Sequence, residues 1–283
     1  MNVQPKIIYM KKITVWLLAL GSVFMLSECS KNPISGRSQL KLMDEGSLQQ
    51  MALQEYRTFL TENKDKLLSQ GVNRDAEMVR RIGSRISKAV TDYYTAQGKG
   101  NLLSGYQWEF NLVESKDVNA WCMPGGKVCV YTGLLPITQN EAALAVVMGH
   151  EIAHALLTHG NERISQAYAA QGVQVAGNVA LGSNQKAVNI FNALYGVGAQ
   201  VGVLLPFSRK QESEADRFGL IFSAMAGYNP REAIPLWQRM EAAGGGSKPP
   251  QWLSTHPSEQ TRIKQLNAVM DEALTYYKPM GGR

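Results

Sequence analysis

The stretch EAALAVVMGHEIAHALLTHG, running from Glu141 to Gly160, decides how this chain is read. It contains His150-Glu151-Ile152-Ala153-His154, and on a helix a spacing of four puts both imidazoles on one face, about one turn apart. Two ring nitrogens so placed can reach a single Zn2+ at roughly 2.0–2.1 Å. Glu151 stands beside that stripe, where it can act as general base on a water held by the metal and need not ligate it. Ala142 to Gly149 carry no charge, so the helix is expected to be buried, and a buried His-Glu-His needs partners that offset its desolvation. Thr138 with Glu141 three residues on reads as a capping box that starts the helix, and Gly160 as its end.

A catalytic zinc needs a third protein ligand. His159 lies five residues after His154 and nine after His150, so on a continued helix it points about 140° and 180° away from them. It reads as a cap near the helix end. The metzincin extension would need Gly at 157 and His at 160, where Leu157 and Gly160 stand, and that class is excluded. The segment QESEADRFG, Gln211 to Gly219, supplies a better candidate. Glu212 and Asp216 are one turn apart on a stripe with Ala215 and Gly219, small residues that allow another helix to approach closely. Alone, the two acids could be an exposed salt-bridging face near Arg209 and Lys210. Beside the first motif, Glu212 reads as the third ligand and Asp216 as the group that orients a zinc histidine. Glu214 falls off the stripe and reads as solvated.

Outward from these motifs, 45% hydrophobic and 18% charged residues in 283 suit one catalytic domain with a small appendage. The net charge of +6 is scattered, with no basic run longer than two, which argues against nucleic acid as a partner. Lys11 and Lys12 precede an apolar stretch from Ile13 to Leu26, so residues 1–28 read as an export signal. Leu26-Ser27-Glu28-Cys29 resembles a bacterial lipobox, although Glu28 stands where a small residue is usual. Two readings follow: a lipid on Cys29 that anchors the chain to a membrane, or an ordinary signal without lipid. Residues 29–43 read as a linker and 44–283 as the catalytic domain.

Residues 106–113 and 118–131 have strand composition, the second as a hairpin turning at Gly125-Gly126. That turn would place Cys122 opposite Cys129, as a cross-strand disulfide or as two buried free thiols. Met78, Ile82, Ile86, Val90 and Tyr93 recur at helical spacing. Residues 165–208, poor in charge, read as paired helices packed on the domain or as a membrane hairpin. The fold class expected is α+β, mainly helical, with a small antiparallel sheet.

The two motifs, HExxH followed by ExxAD, resemble the metallopeptidase family of the CAAX prenyl proteases and HtpX, and above all its periplasmic lipoprotein branch of BepA- and LoiP-like proteins. Asn32 to Arg37 (NPISGR) resembles the mature start of those lipoproteins. Asn119-Ala120-Trp121 with Gly125-Gly126 resembles the family's active-site edge strand, and Thr255-His256-Pro257 with Arg262 its C-terminal motif. The resemblance implies a zincin-like gluzincin domain that holds one Zn2+ on His150, His154 and Glu212. It implies a substrate strand at Asn119 to Trp121, and a His256 that approaches the zinc as ligand or oxyanion donor unless it merely starts a helix. It also implies an endopeptidase of the bacterial periplasm, membrane-anchored through Cys29, acting on unfolded or misfolded envelope proteins. The rival from another class is an envelope chaperone or assembly factor on a metalloprotease scaffold.

Overall fold

The computed structural model describes residues 29–69, 71–170, 189, 191, 207–244, 251–256 and 261–279. The signal read into residues 1–28 lies outside them, as does nearly all of the 165–208 segment for which paired helices or a membrane hairpin are expected. No described helix is long and apolar enough to cross a membrane.

A three-stranded sheet lies between two helical layers. Strands β3 (Glu109–Val113), β4 (Ala120–Met123) and β5 (Lys127–Tyr131) stand in the order β3-β5-β4, with β5 parallel to β3 and antiparallel to β4. The sheet is thus mixed, not antiparallel as expected. Central β5 is buried at every residue, as its nearly continuous apolar run requires. Val128 and Val130 face one core, Cys129 and Tyr131 the other. Onto the first face pack α2 (Arg74–Ala96), through Val79, Ile82, Ile86 and Val90, and α4 (Glu141–Leu156). Against the second lies α1 (Glu45–Glu62), through Met51, Tyr56 and Phe59.

The β4–β5 register corrects the disulfide expectation. Cys129 pairs with Trp121 and Cys122 with Val128, because the hairpin loop is Pro124-Gly125-Gly126, three residues and not two. One position of slip reverses the side chains. Cys122 enters one core and Cys129 the other, and both are free, buried thiols.

The 29–43 stretch, expected as a linker, is folded. Strands β1 (Cys29–Lys31) and β2 (Ser38–Leu40) form an antiparallel ladder, and Asn32 and Gln39 are each 1% exposed. The described part of Cys29 is its backbone, paired with Leu40.

The helix that carries His150 and His154 begins and ends differently from the expectation. Thr138 closes a short helix, α3 (Leu135–Thr138); Gln139 adopts φ 65°, and Asn140 caps α4 by accepting from the Ala143 N–H at 2.9 Å. At the far end Thr158 takes φ 55°, and a new helix, α5 (His159–Ala170), starts there. Helix α6 (Arg209–Met225) opens on a capping box made by Ser208 and Gln211. Helix α7 (Ala233–Gly244) follows and buries Leu236, Trp237 and Met240 in the first core.

Helices α4 and α6 cross at Gly149 and Gly219. A Cβ on Gly219 would stand 2.7 Å from the His150 nitrogen, and one on Gly149 2.6 Å from the Gly219 carbonyl oxygen. Backbone touching backbone is what brings the His150 and Glu212 helices within side-chain reach of one another. Gly219→Ala is therefore expected to lower the denaturant midpoint: an overpacked contact costs about 1–3 kcal/mol, against a gain of roughly 1 kcal/mol in helix propensity. A raised midpoint would contradict this account of the crossing.

Candidate metal centre

All four histidines of the chain meet at this crossing. His150 and His154 project from α4 and Glu212 from α6. His256 comes from the residue after α8 (Gln251–Thr255). Each of these four side chains belongs to a residue at most 4% exposed. One donor atom from each lies within 4.8 Å of all the others. The Nε2 atoms of His150 and His154 are 3.0 Å apart, Glu212 Oε1 is 3.2 Å from His154 Nε2, and Glu212 Oε2 is 3.6 Å from His150 Nε2. His256 Nδ1 is 2.9 Å from Glu212 Oε1 and 3.2 Å from His150 Nε2. Tetrahedral zinc with bonds of about 2.0–2.1 Å separates its ligand atoms by roughly 3.3 Å. The donor set fits zinc in kind and in spacing.

The surrounding charges suit that ion. Burial pushes the Glu212 carboxyl up, but the imidazoles of His256, His150 and His154 outweigh it and hold the group well below the ordinary carboxylate range. Burial drives His154 well below the usual imidazole range, leaving it neutral. For His150, burial is overcome by the Asp216 hydrogen bond and the Glu212 charge, and its pKa rises. Asp216 Oδ1 accepts from His150 Nδ1 at 3.0 Å, which leaves Nε2 to face the centre. Arg262, 2% exposed, spans both acids, donating from Nη1 to Glu212 at 3.0 Å and from Nη2 to Asp216 at 2.7 Å. Glu151 Oε1 lies 3.5 Å from His256 Nε2 and accepts from the Trp252 indole N–H at 2.7 Å.

The family described as Peptidase family M48 matches residues 85–270, which include every one of these side chains. The chain belongs to that family. The M48 chain is 32% identical to the mitochondrial metalloendopeptidase OMA1 of Schizosaccharomyces pombe, over 91% of its own length and 71% of the relative's. It is 31% identical to the OMA1 metalloendopeptidase of Bos taurus, over 92% and 51%. The β-barrel assembly-enhancing protease of Escherichia coli is 31% identical over 55% of the chain and 33% of that protein. The chain thus spans about half the length of the vertebrate relatives it matches. This M48 peptidase is a zinc-dependent metalloendopeptidase. The expected place as a bacterial periplasmic lipoprotein is overturned: the relatives that match across nearly the whole chain are mitochondrial proteins, and the assembly-enhancing proteases match more weakly over less of it. A lipobox-like tetrapeptide is too short a signal to fix a compartment.

Other expectations shift once the fold is known. Trp121 is a core residue, edge-on to Phe59 with ring centroids 5.0 Å apart, and every residue of its strand is buried. His159 does not cap the catalytic helix. It is fully buried, with Nδ1 2.9 Å from His154 Nδ1 and Nε2 3.0 Å from Glu214. Glu214 is therefore no solvated bystander. Sequence reasoning misses Trp252 and gives Arg262 no role; the one available signal is a buried-type Trp four residues before His256.

Proposed function

We propose that the chain cleaves unfolded or misfolded polypeptides in extended form, with His150, His154 and Glu212 as the protein ligands of zinc and Glu151 as general base. The observation that carries the reading is the convergence of those three donors, with Glu151 beside the two histidines on their buried helix. When bound, zinc polarises the scissile carbonyl and lowers the pKa of water. Glu151 takes the proton of the attacking water and hands it to the leaving amine. Strand β4 is one edge of the described sheet, and the side of its backbone turned away from β5, around Asn119 to Trp121, would take a substrate as an added strand, displacing the Asn119 side-chain oxygen that accepts from the Ala120 N–H at 3.0 Å. Such recognition is tolerant of sequence. The name of the bacterial relatives, which concerns β-barrel assembly, supports substrates caught while assembling or misfolded.

The α8 segment bears on how the site is controlled. Trp252 donates its backbone N–H to the Val118 carbonyl at 3.0 Å, at the start of that edge, and its indole occupies Glu151. His256 meanwhile completes a set of four donors, and four protein ligands close a zinc site. His256 is thereby proposed as a latch. If nine-tenths of the molecules are latched, His256→Ala raises turnover of unfolded casein about tenfold. Were His256 an oxyanion donor, the same variant would lose roughly 10²–10³-fold while keeping zinc. Unchanged turnover and zinc affinity would refute both roles. The proteolytic reading itself fails if casein stays intact with zinc-loaded wild type and zinc-loaded His256→Ala alike.

A further inference from the structure

Arg37 lies on the N-terminal hairpin, outside residues 85–270. Its guanidinium nevertheless reaches the back of the metal centre. Arg37 Nε donates to Glu214 Oε2 at 2.7 Å, and its Nη1 and Nη2 fork onto the two oxygens of Glu162, each at 2.6 Å. The Glu214 Oε2 atom that it holds also meets His159 Nε2 at 3.0 Å, and His159 Nδ1 meets His154 Nδ1 at 2.9 Å. Glu162 accepts in turn from Gln211, the residue before Glu212, at 2.8 Å.

The direction of these hydrogen bonds is fixed from the carboxylate inward. A carboxylate only accepts, so the His159 proton sits on Nε2. Its Nδ1 is then an acceptor, and the His154 proton must sit on Nδ1. That leaves the Nε2 lone pair of His154 facing the donor cluster. The reversed tautomers would set a bare His159 nitrogen against Glu214. Two side chains clamp the hairpin in place, since Asn32 Nδ2 and Gln39 Nε2 both donate to the Leu157 carbonyl at the end of α4, at 2.9 and 2.8 Å. Gly36, at φ 73°, turns the chain so that Arg37 follows.

We propose that Arg37 and His159 are positioning residues, which fix the tautomer and ring plane of His154 through Glu214 and so tie the N-terminal hairpin to the metal centre. This rests on His154 being a zinc ligand. The same wiring gives the NPISGR segment a role at the site.

The test uses the full chain, with zinc affinity measured by competition against a chromophoric chelator, the absorption spectrum of the cobalt-substituted protein, and melting of the zinc-free form. His159→Leu is expected to weaken zinc about 10–100-fold, as loss of a ligand's hydrogen-bond partner does elsewhere. His159→Asn, whose side-chain oxygen can still accept from His154, should recover most of that loss. Arg37→Met should weaken zinc about tenfold and alter the cobalt spectrum, with Arg37→Lys in between. Folded His159→Leu and Arg37→Met with wild-type zinc affinity and cobalt spectrum overturn the proposal, as does a His159→Asn no better than His159→Leu. If His159→Leu does not fold, Arg37→Met and His159→Asn decide by the same readouts. Failure of that ligand assignment would look different, since wild type and His154→Ala would then bind zinc equally.

Discussion

Glu151→Gln keeps its zinc and loses peptide hydrolysis by about 10³-fold, since general-base catalysis typically contributes 10²–10⁴. The amide is close to isosteric, and its oxygen can still accept the Trp252 indole hydrogen bond that Glu151 Oε1 accepts at 2.7 Å, so the buried surroundings have no reason to collapse. What the amide cannot do is take up a proton. The measurement is zinc content by elemental analysis beside casein digestion, made in the His256→Ala background as well so that a latch cannot hide the effect. Digestion within about tenfold of the parent would remove Glu151 from the chemistry. The variant also addresses the rival reading, since a chaperone or assembly factor on this scaffold would work undiminished with Gln at 151.

Glu212→Ala loses stoichiometric zinc, and activity with it. The carboxylate supplies the one anionic donor in the cluster, and its removal leaves two or three imidazoles around a divalent cation. The loss reaches beyond the metal. Glu212 is one of two acids on the buried Arg262 guanidinium, and deleting a partner of a buried ion pair costs about 3–5 kcal/mol, less here because Asp216 remains. A lower melting temperature of the zinc-free variant is thus expected together with the zinc loss. Glu212→Ala with full zinc occupancy would sink the ligand assignment. Glu214→Ala is not a neutral control, because Glu214 holds His159 and Arg37. An exposed acid such as Glu241 serves that purpose.

Spacing along a helix is local geometry, and for that reason His150, Glu151, His154, Glu212 and Asp216 can be placed on helix faces before any fold is known. The small stripe of Ala215 and Gly219 points to a close helix crossing for the same reason. Where the local geometry breaks, the reading breaks. His159 points away from His154 only if α4 continues through Thr158, whose positive φ instead ends the helix and turns His159 back toward His154. The cysteine register is hidden for a similar reason, because a loop of three residues and one of two are alike in composition but opposite in parity.

The sequence by itself determined which helix faces carry His150, His154 and Glu212, because i, i+4 periodicity within a helix needs no knowledge of neighbours, and the apolar run before His150 foretold that its helix would be buried. Only the tertiary structure decided which side chains from remote segments complete the centre. Arg262 bridges two acids 46 and 50 residues away in the chain, Trp252 donates to Glu151 101 residues away, and Arg37 reaches Glu214 across 177. No periodicity records such contacts. They arise because burying a charge is costly unless a partner meets it, and the partner need only be near in space.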